Sequence, residues 1–364
     1  MRPESLVDDV PLAPLTTLEL GGTARHLVEV VDEDGVAAAV AWAGECGLPL
    51  VAMGDGSNIV VADAGFHGVV LRVGLRGRRV VRDGARVLLQ VAAGEPWDDV
   101  VSAAVAEGWA GIECLAGIPG RVGATPIQNV GAYGQEVAET IHAVRAYDRT
   151  SGRVVELAPA ACGFGYRDSR FKREPDGYVV MAVTFALRPA GAPTLRYSEL
   201  EAAVAAAVDG RAPAIADVAA IVRRLRARKS MVLHPDDPNR RSVGSFFTNP
   251  VVTAAEAAAV VDRAVASGVA RQAADVPRFP GPDGRVKLSA GWLIERAGFA
   301  KGSRRGPVGV SSNHALALVH HGGGTTAELV DLAREIRAAV VERFAVTLTP
   351  EPVALGMSWQ QLFA

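Results

Sequence analysis

The chain has 364 residues, enough for two or three domains at roughly 150 residues per domain, and a hydrophobic fraction of 49% that supports a large core. Its formal net charge of −2 produces no field that favours nucleic acid or an anionic membrane. The scattered cysteines Cys46, Cys114 and Cys162 form no C-x-x-C pair, which argues against a zinc site or a disulfide framework and predicts a reducing compartment.

The N-terminus is acidic and contains proline, without the basic and apolar regions of a signal peptide. No uninterrupted apolar run approaches the roughly 20 residues that span a bilayer. We therefore expect a cytoplasmic protein without a membrane segment.

The first third of the chain alternates helix and strand patterns. Residues 33–47 have helical spacing and end at Gly47-Leu48-Pro49, and an apolar strand then leads into Gly54. Short Val/Leu runs within 69–92 predict strands, with Asp83-Gly84 as a hairpin turn. Residues 96–107 predict a helix that begins at Pro96.

The rest of the chain is richer in strands at first and in helices later. We predict strands at 141–147, 154–157, 178–187, 346–348 and 353–355, and helices at 213–229, 253–266 and 325–343. The run Thr325-Thr326-Ala327-Glu328 suits a helix N-terminal cap. The fold class is therefore α+β in three parts: a β/α unit, a strand-rich middle and a later α/β unit.

A glycine-rich stretch, Gly117–Gly134, organises the middle part. Neither a helix nor a strand favours so many glycines, because each costs roughly 0.5–1 kcal/mol of backbone entropy, whereas positive φ and close approach of a ligand require them. Successive amides in such turns can form a nest for phosphate. The spacing is neither a Walker loop nor G-x-G-x-x-G. We interpret it as a loop around a large phosphate-bearing ligand; the alternative is a surface loop without a ligand.

A second glycine stretch, Gly54-Asp55-Gly56-Ser57-Asn58, lies between two apolar runs and predicts a strand, a phosphate-sized turn and a strand. On its own it is equally typical of a tight β-turn. Together the two stretches look like halves of one cofactor cradle.

These motifs and several others occur in the order found in one family of flavoenzymes. The sequence resembles the bacterial UDP-N-acetylenolpyruvoylglucosamine reductases (the MurB family), of the type with a tyrosine loop and a Gly-Ser-Phe-Phe-x-Asn-Pro motif, over nearly its whole length. Besides the two glycine stretches, the resemblance rests on Gly165–Ser169, Gly244–Pro250, Lys287–Glu295 and Pro350-Glu351.

The resemblance implies a two-domain FAD-binding fold, like that of vanillyl-alcohol oxidase, plus a third α/β domain that binds substrate. Residues 1–73 and 74–230 would form the FAD-binding subdomains and residues 231–344 the substrate domain, with the tail 345–364 packing back on the first subdomain. It also implies non-covalent FAD, NADPH as reductant and a nucleotide-sugar substrate, with no nucleic acid, membrane or obligate protein partner. The implied FAD contacts are Gly54, Asp55, Gly56, Ser57, Asn58, Gly117, Ile118, Gly120, Gly123, Ala124, Gln128, Asn129, Gly131, Ala132, Tyr133 and Gly134.

Three residues are implied to be catalytic. Ser245 would protonate the substrate carbon; because serine is a poor acid, it needs either a dry site that stabilises the developing alkoxide or a relay. Arg167 would grip the substrate carboxylate, since a guanidinium forms two parallel hydrogen bonds with that group. Glu351 would assist at the same carboxylate. The structural alternatives are a turn serine, an Arg167–Asp168 pair and a solvated loop carboxylate.

Four residues are implied to bind the substrate elsewhere. Tyr197 and Lys229 would contact the diphosphate, with Asn249 in the same pocket, and Lys287 is a further candidate. Each is equally compatible with an ordinary core or surface role.

Two other functions stay open at this stage: a flavin oxidase of the same fold class, and a flavin-binding protein that has lost catalysis. No histidine or cysteine in 117–134 could tether a flavin, and the three catalytic candidates argue against a dead protein. His321-Gly322-Gly323-Gly324 resembles a lipase oxyanion loop, but no G-x-S-x-G accompanies it. The histidines form no H-x-x-x-H pair, so we expect no metal site.

The chain departs from the family at two places. Thr16-Thr17-Leu18 replaces the usual Asn-Thr-Phe, and Asp55 adds a carboxylate to the first glycine stretch. A carboxylate near phosphates is unfavourable unless it points away.

Overall fold

The computed structural model describes residues 2–363. Its contacts group the chain into two compact units. Unit 1 contains the N-terminal residues up to Val10, Ala24–Gly56 and His67–Leu233, and unit 2 contains Pro11–Thr23, Ser57–Phe66 and the chain from His234 onward. The three-part division at residues 73, 230 and 344 stays a prediction.

The strands are short except in the middle of the chain. They are β1 (Leu6–Pro11), β2 (Thr23–Val30), β3 (Leu50–Met53), β4 (Ile59–Val61), β5 (Phe66–Val73), β6 (Arg78–Asp83), β7 (Arg86–Ala92), β8 (Trp109–Ala110), β9 (Gly131–Ala132), β10 (Gln135–Glu136), β11 (Ile141–Asp148), β12 (Arg153–Leu157), β13 (Tyr178–Pro189), β14 (Val251–Val252), β15 (Arg278–Pro280), β16 (Val286–Leu288), β17 (Arg304–Arg305), β18 (Val308–Val310), β19 (Leu318–His320) and β20 (Val353–Leu355).

The α-helices are concentrated around the long strands and in the C-terminal third. They are α1 (Glu33–Glu45), α2 (Trp97–Ala106), α3 (Pro159–Cys162), α4 (Arg170–Arg173), α5 (Ser198–Val208), α6 (Ile215–Arg228), α7 (Ala254–Ala266), α8 (Ala290–Arg296), α9 (Thr326–Phe344) and α10 (Trp359–Leu362). Across the described residues, every helix falls short of the length and hydrophobicity that a membrane span requires.

Unit 1 contains two sheets. The strand order of the first is β1-β2-β5-β3, with β3 parallel to β5. The second is antiparallel, in the order β12-β11-β13-β7-β6, and β8 extends it by pairing with β13. Helices α2, α5 and α6 contribute to the core beside this sheet, where the rings of Trp97 and Phe185 lie 5.5 Å apart.

Strand β6 forms an edge of the larger sheet and is exposed along its whole length. Its sequence, Arg78-Arg79-Val80-Val81-Arg82-Asp83, carries three arginines. Charged side chains on an edge strand discourage pairing with another chain. The arginine-rich pattern is therefore compatible with a strand that stays unpaired on one side.

Unit 2 packs helices α7, α8 and α9 around a core that contains Phe246, Phe247 and Phe344. The cap predicted at Thr325 is confirmed, because Thr325 and Glu328 form a reciprocal capping box at the start of α9. The C-terminal segment returns through β20, which pairs in parallel with β4 in the register Val353–Ile59.

Two sequence-based expectations about the elements were wrong or incomplete. Residues 346–348 do not form a strand, although Val346 and Leu348 are buried in the core of unit 2. Their apolar pattern reflects burial of an extended segment rather than sheet pairing. Helix α5 was not predicted; its apolar face is limited to Leu200, Val204 and Val208.

A buried polar cluster joins the two ends of the glycine loop Gly117–Gly134. The carboxylate of Glu113, which is 0% exposed, accepts hydrogen bonds from the backbone nitrogens of Gly111 and Thr194, both at 2.7 Å. The amide of Gln135 donates to Glu113 at 3.3 Å, and its oxygen accepts from the backbone nitrogen of Cys114 at 2.9 Å. Residues just before and just after the loop are thus held together.

We predict that Glu113→Ala lowers the free energy of unfolding by about 3–5 kcal/mol, because two buried backbone donors and the Gln135 amide lose their acceptor. Denaturant unfolding of the purified variant measures the change. Glu107→Ala removes an exposed carboxylate six residues away and serves as the control. Equal unfolding midpoints for the two variants would contradict the structural role of Glu113.

Candidate active site

The start of the glycine loop is fixed by helix α2. The carboxylate of Asp98 accepts the backbone N–H of Gly117 at 2.6 Å and a guanidinium N–H of Arg223 at 2.8 Å. The backbone nitrogen of Trp97 donates to the carbonyl of Gly120 at 2.9 Å. The φ angles of Gly117 and Gly120 are +73° and +113°, values that glycine adopts without strain.

Two non-glycine residues in the loop also adopt the left-handed conformation: Asn129 with φ +46° and Tyr133 with φ +49°. Such strain persists only where surrounding contacts enforce it, and it is concentrated at functional sites. The side chain of Asn129 provides those contacts: it donates to Glu136 at 2.7 Å and to the carbonyl of Gly165 at 2.9 Å, and it accepts from the nitrogen of Ala138 at 3.1 Å.

The departure at Asp55 is explained by Arg121. Oδ1 of Asp55 accepts from Nε of Arg121 at 2.6 Å, and the same guanidinium donates to the carbonyl of Gly94 at 2.7 Å. A methyl group on Gly54 would lie 2.9 Å from Cγ of Arg121. The added carboxylate is thus neutralised by an arginine of the glycine loop, and only glycine leaves that arginine room.

Arg167 is anchored to the end of the glycine loop. Its guanidinium donates to the carbonyls of Gly131 and Asn129, the latter at 3.4 Å, and lies 4.0 Å from Glu136. Its backbone is left-handed, with φ +54°. The alternative that pairs it with Asp168 finds no support in the ion pair that Asp168 forms with Arg173.

Tyr197 and Lys229 lie beside Tyr133, the tyrosine of the loop. The rings of Tyr133 and Tyr197 meet edge to face with centroids 5.5 Å apart, and Nζ of Lys229 lies 5.7 Å from the centroid of Tyr133. Nζ of Lys229 also pairs with Glu199 at 2.6 Å. Burial raises the pKa of the Tyr133 hydroxyl to about 12, so it stays protonated and can donate a hydrogen bond.

Arg226 is a candidate that the sequence analysis did not single out. Its Nε is buried and has no hydrogen-bond partner among residues 2–363, while another guanidinium nitrogen donates to the carbonyl of Met231 at 2.7 Å. Burial lowers the pKa of Arg226 to about 10, which leaves it charged at neutral pH. Its spacing from the buried residues Ile215, Ala219 and Val222 would have placed it on the apolar face of helix α6.

The surroundings of Arg226 fit an anionic ligand. A methyl group on Gly117 would lie 3.7 Å from the unpartnered Nε, so the side of the loop that glycine leaves bare faces this nitrogen. A buried donor without an acceptor is costly, and a bound ligand can supply the acceptor. The residues of unit 1 therefore fit a phosphate-bearing cofactor such as FAD.

Unit 2 brings Ser245 and Glu351 close together along the chain backbone. The segment containing Ser245 pairs with the one containing Glu351, because the nitrogen of Glu351 donates to the carbonyl of Phe246 at 2.9 Å and Phe247 forms a bridge with Pro350. Phe246 and Phe247 are both 0% exposed, whereas Ser245 is only half-buried. Oγ of Ser245 lies 3.5 Å from Nε2 of His314.

The remaining predicted residues of unit 2 occupy neighbouring backbone. Oδ1 of Asn249 accepts the nitrogen of Ala290 at 2.9 Å, at the start of α8. Lys287 lies opposite Val251 in the pair β14–β16. The carbonyl of Asn58 accepts the nitrogen of Val353 at 2.9 Å, two residues beyond Glu351.

The second departure, Thr16-Thr17-Leu18, also belongs to unit 2. Leu18 is fully buried in its core, where it supplies the apolar packing expected of the usual phenylalanine. The hydroxyl of Thr17 donates to the carbonyl of Ser242 at 2.6 Å, three residues before Ser245.

The predicted site residues thus form two sets. Unit 1 holds Gly54, Asp55, Gly56, all those between Gly117 and Gly134, Arg167, Tyr197 and Lys229, and unit 2 holds Ser57, Asn58, Ser245, Asn249, Lys287 and Glu351. Among the described residues, no three His, Cys, Asp or Glu side chains are arranged to hold a metal ion.

Two family models match the chain. One is described as the C-terminal domain of UDP-N-acetylenolpyruvoylglucosamine reductase and covers residues 236–355; the other, an FAD binding domain, covers residues 24–158. The crystal structure of UDP-N-acetylenolpyruvylglucosamine reductase (MurB) from Thermus caldophilus aligns with 96% of this chain and 98% of its own, at a TM-score of 0.64 and 26% identity. The fold is therefore the predicted one, an FAD-binding fold combined with the C-terminal domain of this family.

Full-length relatives carry the same name. The UDP-N-acetylenolpyruvoylglucosamine reductase of Streptomyces coelicolor is 50% identical over 98% of this chain and 92% of its own length. That of Thermobifida fusca is 48% identical over 97% of this chain and 99% of its own. The chain belongs to the UDP-N-acetylenolpyruvoylglucosamine reductase family.

Proposed function

We propose that this protein uses NADPH and bound FAD to reduce the enolpyruvoyl group of UDP-N-acetylenolpyruvoylglucosamine, yielding UDP-N-acetylmuramate for peptidoglycan synthesis. The observation that carries the proposal is 50% identity to a named reductase across 98% of the chain. The buried, unpartnered Nε of Arg226 beside Gly117 supports it independently, because it calls for an anionic ligand at the glycine loop.

The FAD contacts follow the glycine stretches. We assign them to the backbone around Gly54–Asn58 and Gly117–Gly134, with Arg226 added as a donor to an electron-rich group of the cofactor. FAD, when bound, carries hydride from NADPH to the substrate. The chain's own residues bind the substrate, orient its double bond and supply the proton.

Arg167 is proposed to bind the substrate carboxylate. This group is conjugated with the double bond, so it gains electron density when hydride reaches the β-carbon. A guanidinium held by the carbonyls of Gly131 and Asn129 is oriented before the substrate arrives. Such preorganised charge stabilises the transition state without reorganisation during the reaction.

Ser245 is proposed to donate the proton to the α-carbon, and Glu351 to assist at the developing enolate. The pairing of their backbone segments in unit 2 fixes the spacing of the two residues. The buried rings of Phe246 and Phe247 exclude water from one side of that segment. Exclusion of water strengthens the electrostatic interactions that a weak acid such as serine requires.

The diphosphate of the nucleotide sugar is proposed to bind Tyr197 and Lys229, with Asn249 and Lys287 as further substrate contacts. The packing of Lys229 and Tyr197 against Tyr133 supports a joint role for the first two. We further propose FAD-binding subdomains at 1–73 and 74–230, with the tail 345–364 returning to the first. The substrate domain would be 231–344, in a cytoplasmic enzyme without an obligate partner.

We predict that Arg226→Met weakens FAD binding by about 10–100-fold, since a charge-assisted hydrogen bond contributes roughly 1.5–3 kcal/mol. Reconstitution of the apoprotein followed by flavin fluorescence gives the dissociation constant. Arg228→Met removes an exposed charge from the same helix and serves as the control. Equal dissociation constants for the two variants would remove Arg226 from the cofactor site.

We predict that Ser245→Ala slows anaerobic oxidation of the NADPH-reduced enzyme by UDP-N-acetylenolpyruvoylglucosamine by about 10²–10⁴-fold, the usual contribution of a general acid. Reduction by NADPH should be unchanged, because it needs no proton from Ser245. Stopped-flow absorbance follows each half-reaction separately. Thr248→Ala, which removes a hydroxyl from the same segment, should leave both rates near those of the wild type.

A decrease of similar size in both half-reactions of Ser245→Ala would indicate a general disturbance of the site. In that case the assignment of Ser245 as the proton donor would be withdrawn.

A further inference from the structure

The proton donor assigned above raises a chemical problem. Loss of its proton turns the Ser245 hydroxyl into an alkoxide, a far stronger base than any other group the chain forms at neutral pH. An alkoxide next to buried phenylalanines needs a hydrogen-bond donor fixed at its oxygen. A search for that donor can be confined to unit 2, where Ser245 lies.

The imidazole of His314 occupies the required position. Its Nε2 lies 3.5 Å from Oγ of Ser245. This separation is longer than an ordinary hydrogen bond, and catalytic hydrogen bonds of ligand-free enzymes are commonly long and shorten in the reacting complex.

The backbone on both sides of His314 is fixed. The carbonyl of His314 accepts the nitrogen of Ala317 at 3.1 Å, and the nitrogen of Ser311 donates to the carbonyl of Ala317 at 2.8 Å. The carbonyl of Leu316 accepts the nitrogen of Phe246 at 2.7 Å, which ties this turn directly to the segment that carries Ser245. A side chain on such a turn keeps its distance from the serine hydroxyl.

The turn is also fixed at its other end. The side chain of Asn239 accepts the backbone nitrogen of Ser312 at 3.1 Å, and its amide donates to the Ser312 hydroxyl at 3.0 Å. Asn239 itself is 3% exposed. Two independent anchors therefore hold the loop that presents His314, as expected for a residue that must be positioned rather than merely present.

We propose that His314 is a positioning residue that donates a hydrogen bond from Nε2–H to Oγ of Ser245. This inference rests on the proposed function, in which Ser245 is the proton donor. Ser245 must direct its own hydrogen at the substrate, so its oxygen can only accept from the imidazole. The histidine tautomer that carries hydrogen on Nε2 meets this requirement.

The step balances without a further reactant. Hydride addition at the β-carbon leaves an electron pair at the α-carbon, and this pair forms the new C–H bond with the serine hydrogen. The O–H bond of Ser245 breaks and its electrons stay on Oγ, where the N–H of His314 stabilises the charge. Water returns a proton to Oγ after the product leaves.

A pair of amide substitutions tests the inference, because glutamine places an N–H near the position of Nε2 and asparagine does not reach it. In the FAD-loaded full-length enzyme, His314→Gln should retain anaerobic oxidation by UDP-N-acetylenolpyruvoylglucosamine within about 10-fold of the wild type. His314→Asn and His314→Leu should lose about 10²–10³-fold, the effect of removing one oxyanion donor. Reduction by NADPH should stay unchanged in all three.

A double-mutant cycle separates positioning from a general structural effect. In a Ser245→Ala background, His314→Leu should add less than about threefold, because the oxygen that it stabilises is already missing. A full additional 10²-fold loss, an unimpaired His314→Leu single variant, or a glutamine variant as slow as the asparagine variant would each overturn the proposal.

The wild-type enzyme in the same assay keeps two failures apart. If the substrate fails to oxidise the wild-type enzyme, the proposed function is wrong, and with it the inference. If the wild type and Ser245→Ala behave as predicted but the His314 variants do not, only the role of His314 is wrong. The flavin absorbance of each variant shows whether it has folded with its cofactor.

Discussion

The course of the glycine loop depends on the buried carboxylate of Glu113. Through Gln135 this carboxylate joins the residues on both sides of Gly117–Gly134, and through Thr194 it fixes the chain that leads to Tyr197. A long loop without regular hydrogen bonding loses considerable entropy when it is ordered. Closing its ends around a fully satisfied polar cluster confines that cost to the residues that need irregular backbone.

Charge is arranged around the loop with equal care. Asp55 neutralises Arg121, Asp98 holds Arg223 together with the nitrogen of Gly117, and Glu199 pairs with Lys229. Arg226 differs because its buried Nε has no partner among the described residues. A site that receives a diphosphate cofactor and then a diphosphate sugar needs positive charge in excess, and unit 1 leaves that excess beside Gly117.

Much of this organisation could be predicted from the sequence, because glycine spacing and hydrophobic periodicity are local signals. They revealed helices α1, α2, α6, α7 and α9 and the loop itself. The partners of Asp55 and Asn129 could not be predicted, since Arg121 and Glu136 meet them only through the fold. Residues 346–348 show the opposite failure: an apolar run is buried without pairing, and composition does not distinguish these outcomes. His314 carries no motif, so only its distance from Ser245 revealed it.

The most direct test of the account compares two oxidants of the NADPH-reduced protein. Under anaerobic conditions, stopped-flow absorbance records how fast UDP-N-acetylenolpyruvoylglucosamine restores the oxidised flavin spectrum, and a parallel experiment replaces the sugar with oxygen. The account predicts rapid oxidation by the sugar, with UDP-N-acetylmuramate as product, and slow oxidation by oxygen. Oxidation by oxygen alone would indicate an oxidase, and a purified protein without flavin would contradict the role assigned to both glycine stretches.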